Sequence, residues 1–158
     1  MRLTDILKPQ DVLVPMLATD KKSAIKELVD LLAKSADVKD PELLLASVLE
    51  REATRTTGVG HGLAIPHSKC GGVKRLMVAM GKVASPINFN SIDDQPVSII
   101  VLLVSPPEQT AAHIQCLASI SRLMTIESFR NTLLKCHNGV EFYNAILDKE
   151  KAIETPAM

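Results

Sequence analysis

The stretch Gly58-Val59-Gly60-His61-Gly62-Leu63-Ala64-Ile65-Pro66-His67 carries the most information about this chain. Its glycines permit backbone angles that are closed to other residues and keep side chains off the approach to the histidine. Pro66 fixes its own φ and biases Ile65 toward extended geometry. This predicts a short strand over residues 63–65 that stops before His67, so that His67 lies at the end of the strand. With the positive charge of Lys69 two residues away, His67 is a candidate for handling a phosphoryl group.

Length and composition narrow the class of protein. The chain has 158 residues, which predicts a single domain over residues 1–148 and a polar C-terminal tail over residues 149–158. Its 18 basic and 18 acidic residues cancel, and no basic stripe suggests nucleic acid. No signal-peptide core or membrane-length apolar run is visible, and three cysteines without CxxC spacing suit free thiols. We therefore expect a cytoplasmic protein without membrane insertion.

Hydrophobic periodicity alternates helices with strands. Asp20 and Asp40-Pro41 are candidate helix starts. The run over residues 97–104 is almost continuously apolar and β-branched, which predicts a strand buried on both faces. The other predicted elements are helices over residues 20–35, 41–49, 110–124, 126–136 and 139–147, and a strand over 76–83. A sheet with helices on both faces is the simplest α/β architecture for this pattern.

The decisive stretch, preceded by Arg51-Glu52, resembles the active-site signature of the fructose/mannitol-type (type 2) EIIA domains of the bacterial phosphotransferase system. Further matches follow in the family's order over residues 4–147: Pro86-Ile87-Asn88-Phe89, Asp93, Pro96-Val97 and His113-Ile114-Gln115-Cys116-Leu117. The residue pattern around Gly58, and a chain with no fused domain, look most like the nitrogen-regulatory (PtsN-like) branch. Ser68 and Asp94 depart from the family, where glycine is common at both positions; the Ser68 hydroxyl is expected beside the reactive ring.

The resemblance implies a three-layer α/β/α sandwich around a mixed β-sheet. It also implies a phosphotransferase component that carries a phosphoryl group on a histidine, between proteins. By position, His67 would be phosphorylated, Arg51 its basic neighbour and His113 the second histidine of the site. The donor would be the small phosphocarrier HPr or its nitrogen-branch paralogue. The acceptor would be a regulatory target protein or, if the chain is sugar-specific, an EIIB domain.

The chemistry accounts for these residue types. A neutral imidazole is nucleophilic near physiological pH, and a hydrogen bond to one ring nitrogen fixes which nitrogen attacks. Phosphoryl transfer depends on positioning and charge stabilisation. A cation about 4 Å from the phosphoryl group is worth on the order of 4 kcal/mol at an effective dielectric near 20. No metal or other cofactor is required when both donor and acceptor are histidines.

Several assignments stay open at this point. Arg51 closes a helix, where a cation also suits the helix dipole, and Arg55 competes with it for the phosphoryl group. Gly62, Ser68 and Lys69 are expected to neighbour the site, although Lys69 also fits a solvated charge. His113 lies at the edge of an apolar helical stripe. The glycines match neither phosphate-loop pattern, and a strand rather than a helix follows them.

Two other classes of function are considered. His61, His67, Cys70, His113 and Cys116 include residue types that bind zinc, but adjacent glycines and the absence of CxxC argue against a metal site. An interaction module switched by phosphorylation is compatible with the EIIA interpretation, because a phosphohistidine adds negative charge at a surface. The sequence favours a regulatory histidine phosphocarrier over sugar-specific transport, and leaves the oligomeric state and the final acceptor open.

Overall fold

A six-stranded sheet with helices on both faces forms the centre of the computed structural model, which describes residues 1–154. The elements are β1 (Val12–Met16), α1 (Lys21–Leu32), α2 (Pro41–Thr54), β2 (Gly58–Gly60), β3 (Leu63–Ala64), β4 (His67–Lys69), β5 (Met77–Ile87), β6 (Val97–Ser105), α3 (Thr110–Met124), α4 (Glu127–Leu134) and α5 (Gly139–Glu154). The strand order is β1-β5-β6-β3-β2, and β4 also pairs with β6. Parallel and antiparallel pairs both occur, so the predicted mixed sheet is confirmed.

Strand β6 lies within the sheet and contributes side chains to the hydrophobic cores on both of its faces. Its side chains alternate, because successive residues of a strand point to opposite faces. Ile99, Val101 and Leu103 pack with residues of α3, α4 and α5, whereas Ile100, Leu102 and Val104 pack with residues of α1 and α2. The prediction of a strand buried on both faces, and of a three-layer sandwich, is therefore confirmed.

The two helices of one layer begin where their capping residues predict. The Asp20 carboxylate accepts a hydrogen bond from the main-chain N–H of Ser23 at 2.9 Å, and Asp40 accepts one from Leu43 at 3.0 Å. These bonds satisfy main-chain donors that the first helical turn leaves unpaired. Pro41, at the first position of α2, has no N–H to leave unpaired.

Strands β3 and β4 follow each other along the chain, and both pair in parallel with β6. Ala64 pairs with Ile100 and His67 with Leu103, so the register is unchanged across Ile65-Pro66. Pro66 has no N–H to donate, but its carbonyl accepts from Leu103 N at 3.0 Å and keeps the segment in place. His67 thus begins a strand, where the sequence predicted that the strand would stop before it.

Strand β1, which contains Pro15, was not predicted from the sequence. The strand lies at one end of the sheet order, where a residue without an N–H is tolerated. In the described part of the chain, no helix is both long and apolar enough to cross a bilayer.

The last helix continues past its predicted end near residue 147. The buried carboxylate of Glu150 accepts hydrogen bonds from Leu3 N at 2.6 Å, Thr4 N at 3.0 Å and Thr4 Oγ1 at 2.6 Å. These bonds join α5 to the N-terminal residues, and residues 149–154 are helical and not a tail. Residues 155–158 of the predicted tail lie outside the described residues, and the domain boundary at 148 stays a prediction.

Candidate active site

The glycine-rich segment forms a tight hairpin between β2 and β3. Gly60, His61 and Gly62 have φ angles of 101°, 57° and 74°, a left-handed geometry that suits glycine and matches the twist of two-residue hairpins. The Asp93 carboxylate accepts a hydrogen bond from the main-chain N–H of His61 at 3.0 Å. This bond stabilises the left-handed conformation of His61, the one residue of the three that is not glycine. The main-chain N–H groups of Gln95 and His61 keep the pKa of Asp93 below its ordinary value.

This hairpin lies far from His67. The Gly62 carbonyl accepts from Ser98 N at the start of β6, whereas His67 pairs with Leu103 near the end of β6. Five residues of extended chain correspond to roughly 16 Å. Gly62 was therefore wrongly predicted to neighbour the phosphoryl site; it shapes the turn. A cleft of about 480 Å³ beside the hairpin is lined by residues that include His61, Met124 and Arg130, and neither His67 nor His113 is among them.

The ring of His67 is half-buried and held in one tautomer. Its Nδ1 lies 2.8 Å from the carbonyl oxygen of Ile65. Because a carbonyl oxygen only accepts hydrogen bonds, Nδ1 carries the hydrogen and Nε2 keeps its lone pair. The carbonyl of Ile65 thus contacts the ring of the residue two positions later. His67 can therefore act as a nucleophile at Nε2.

His113, in the first turn of α3, lies next to His67. The two ring centroids are 5.7 Å apart and the ring planes meet at 62°. His113 is only 6% exposed. It is therefore buried, whereas the sequence predicted a position at the edge of an apolar helical stripe. Its Nδ1 lies 2.7 Å from the hydroxyl of Ser105, a residue that the sequence analysis did not single out.

Burial makes His113 a neutral imidazole at physiological pH. Its pKa is lowered from 6.5 to about 4, first by burial and then by the charges of His67 and Lys69. A neutral imidazole carries one N–H and can donate a hydrogen bond without first losing a proton.

This low pKa predicts a pH-dependent stability. Between pH 6.5 and about 4 the unfolded chain binds a proton at His113 that the folded chain does not. The free energy of unfolding should therefore fall as pH falls through this window, by up to about 3 kcal/mol from this residue. Urea unfolding of the wild type and of His113→Gln, measured from pH 4 to 7.5, isolates the contribution because glutamine does not titrate. Parallel stability curves for the two proteins would contradict the prediction.

Strand alternation separates the two residues that follow His67. Lys69 lies on the α3 face of the sheet, and its Nζ is 3.3 Å from Thr110 Oγ1 in the first turn of α3. Ser68 faces the other layer, where its buried hydroxyl is hydrogen-bonded to that of Ser47 in α2. The expectation that the Ser68 hydroxyl lies beside the reactive ring is wrong, because side chains alternate along a strand.

The two candidate arginines lie differently at the end of α2. The Arg51 guanidinium donates through Nη1 to the carbonyl oxygen of Arg55 at 2.9 Å. Arg55 itself lines a separate surface depression together with Lys21, Lys22 and Asn90. The main chain of Arg55 therefore holds the side chain of Arg51.

A buried carboxylate ties this end of α2 to the glycine-rich segment. Glu52, which is 5% exposed, accepts from Thr57 N at 2.9 Å and from Thr57 Oγ1 at 2.5 Å. Lys21 Nζ lies 2.9 Å from the same carboxylate and 4.9 Å from the centroid of the Phe89 ring. Glu52 belongs to the quoted motif, but its spacing alone did not reveal that it is buried. The bonds fix the position of the helix end that carries Arg51.

The five residues considered for a zinc site do not all come together. Cys70 packs in the core on the α1 and α2 side, and Cys116 in the core on the α3 side. Within residues 1–154, no three histidine, cysteine, aspartate or glutamate side chains are placed to share a metal ion.

Comparison with known proteins identifies the family of this fold and site. Residues 5–149 match the family described as the phosphoenolpyruvate-dependent sugar phosphotransferase system, EIIA 2. The chain therefore belongs to the type 2 EIIA family of the phosphotransferase system.

Relatives of both branches of the family are similar to the chain. A nitrogen regulatory protein of Bradyrhizobium diazoefficiens is 31% identical over 92% of this chain and 95% of its own length. A fructose-specific EIIA component of Haloferax volcanii is 36% identical over 75% of this chain and 77% of its own length. The fold is also that of nitrogen regulatory protein IIA-Ntr of Neisseria meningitidis, with a TM-score of 0.83, 27% identity, and coverage of 90% of this chain and 97% of that one. The similarity to nitrogen regulatory proteins over most of the chain agrees with the nitrogen-regulatory branch that the motif residues suggested.

Proposed function

We propose that the protein is a regulatory histidine phosphocarrier that accepts a phosphoryl group on Nε2 of His67 from an HPr-type carrier. One observation supports this most directly: the Ile65 carbonyl holds the hydrogen of His67 on Nδ1 and leaves the Nε2 lone pair free. The buried, neutral His113 lies beside the same ring.

The reaction needs one bond to form and one to break. The Nε2 lone pair of His67 attacks phosphorus, while the P–N bond to the carrier's histidine breaks and its electron pair returns to the carrier's imidazole. Charge is spread over the three transferring oxygens in the transition state. His113 donates an N–H to one of them, and Lys69, on the same face of the sheet, adds positive charge. The phosphoryl group later leaves His67 by the same chemistry in reverse.

Arg51 is the second cation that we assign to the site. Gly58 pairs with Ala64, and Ile65 N donates to the Thr57 carbonyl. We extend this antiparallel register by two residues beyond Thr57 and infer that the main chain of Arg55 lies opposite that of His67. On this inference, the carbonyl that holds the Arg51 guanidinium belongs to the chain beside His67. A guanidinium can grip two phosphoryl oxygens at once.

The two arginines provide a matched test of this assignment. Arg51→Gln should slow phosphoryl transfer by about 10²-fold, the scale of losing one preorganised charge-stabilising group. Arg55→Gln should change the rate little, because Arg55 lines the depression beside Lys21 and Lys22 and only its main-chain carbonyl contacts Arg51. Single-turnover transfer from phosphorylated carrier to each variant measures the difference. A larger loss in Arg55→Gln would reverse the assignment, and equal rates for the two variants would contradict it.

The test of the proposed function is phosphorylation of the wild-type chain. Incubation with phosphoenolpyruvate, Enzyme I and HPr, or the nitrogen-branch equivalents, should add one phosphate to each chain. The phosphate should be labile in acid and stable in base, as phosphohistidine is, and it should survive metal chelation. Failure to take up any phosphate from either carrier would refute the proposal.

Sugar-specific transfer is a second candidate, supported by the similarity to the Haloferax fructose-specific component. The fructose-specific EIIABC component of Bacillus subtilis is also 28% identical, although the chain spans only 23% of its length. Adding a fructose- or mannitol-type EIIB domain to the phosphorylated chain distinguishes the two functions. We expect the phosphoryl group to stay on this chain; rapid passage to the EIIB domain would instead support sugar-specific transfer.

A further inference from the structure

Ser105 places a hydroxyl against the second histidine of the proposed site. It is the last residue of β6, is fully buried, and has its Oγ 2.7 Å from His113 Nδ1. The strand pairing of Lys69 with Ser105 puts its side chain on the face that His67 and Lys69 occupy. A buried hydroxyl at the end of a mostly apolar run costs free energy unless it is hydrogen-bonded, so its partner matters.

The direction of this hydrogen bond follows from counting donors. If Nδ1 carried the hydrogen and donated to Ser105, the serine O–H would need an acceptor of its own. Within residues 1–154, the Ser105 hydroxyl has no hydrogen-bond partner besides His113. A buried donor left unpaired is unfavourable. Donation from Ser105 Oγ–H to Nδ1 satisfies both of these atoms and leaves the His113 hydrogen on Nε2, which is not among the fully buried, unpaired side-chain atoms of the described residues.

We propose that Ser105 is a positioning residue that holds His113 in the tautomer with hydrogen on Nε2, opposite to the tautomer of His67. Two neighbouring imidazoles then have complementary roles: His67 presents a lone pair to phosphorus, and His113 presents an N–H to a phosphoryl oxygen. The Ile65 carbonyl fixes the first tautomer and the Ser105 hydroxyl fixes the second. This role in transfer rests on the proposed function, but the tautomer itself can be measured without any transfer.

The tautomer is read by nuclear magnetic resonance on unphosphorylated protein with ¹⁵N-labelled histidine at pH 7. The two-bond couplings of the His113 ring should show a protonated Nε2 and an unprotonated, hydrogen-bonded Nδ1. In Ser105→Ala, the ring should lose this single state and show a fraction protonated at Nδ1. A wild-type ring protonated at Nδ1, or a ring that Ser105→Ala leaves unchanged, would overturn the proposal.

Transfer kinetics supply the second readout. Ser105→Ala should slow single-turnover transfer about tenfold, a change that corresponds to about 1.4 kcal/mol. Ser119→Ala is the matched control, since it also removes a buried hydroxyl from this layer, one bonded to the Met1 carbonyl at 3.1 Å. It should change neither the rate nor the tautomer. Equal rates for Ser105→Ala and wild type would overturn the role in transfer. Absence of phosphorylation in the wild type would instead refute the proposed function and leave the tautomer result standing.

Discussion

His67→Ala is expected to take up no phosphate under conditions in which the wild type is fully phosphorylated. The substitution removes the Nε2 lone pair that forms the new P–N bond, and no preorganised donor can replace a missing nucleophile. His113 is close, but its Nδ1 is bonded to Ser105 and its ring is buried, so it should not accept the phosphoryl group in place of His67. Intact-protein mass spectrometry at neutral pH measures the result.

The matched control for this experiment is His137→Ala. His137 is a surface histidine whose side chain is 87% exposed, so this variant should be phosphorylated like the wild type. His67→Ala should also fold, because the lost side chain makes one hydrogen bond to the Ile65 carbonyl, worth about 1 kcal/mol. Circular dichroism melts check this. An acid-labile phosphate on His67→Ala would show that the phosphorylated residue lies elsewhere.

His113→Ala is expected to retain phosphorylation at His67 but to slow it by about 10²-fold, the scale of losing one preorganised donor. Binding of the carrier should change little, because His113 acts on the phosphoryl group and is too buried to form much of a protein surface. Rapid-quench transfer kinetics, with carrier affinity measured separately by titration, resolve the two effects.

A second variant separates hydrogen-bond donation from loss of packing. His113→Gln can donate a hydrogen bond but cannot ionise, so it should retain more transfer activity than His113→Ala. Thermal melts of both variants control for folding, since each replaces a buried ring. If His113→Ala transferred at the wild-type rate while remaining folded, His113 would be structural, and the proposed catalysis would depend on His67 and Arg51 alone.

Local signals determined much of the fold. Asp20 and Asp40 cap helices where predicted, because capping depends on a side chain and the main chain three residues away. The almost continuous apolar run of β6 identified a strand covered on both faces. Strand β1 and the end of α5 were missed because their stability comes from partners distant in sequence: β5 for β1, and the N-terminal main chain for Glu150.

The sequence by itself selected the histidines but not all of their neighbours. The glycines and Pro66 marked His67, and the family resemblance marked His113 and Arg51. Only the tertiary structure placed Gly62 at the far hairpin and turned Ser68 to the opposite face, because these outcomes depend on strand register and side-chain alternation. Tertiary packing likewise brought Ser105 to His113 and lowered the pKa of that imidazole to about 4. Sequence motifs specify which groups are present; burial and register, set by the whole fold, decide which groups meet and in which protonation state.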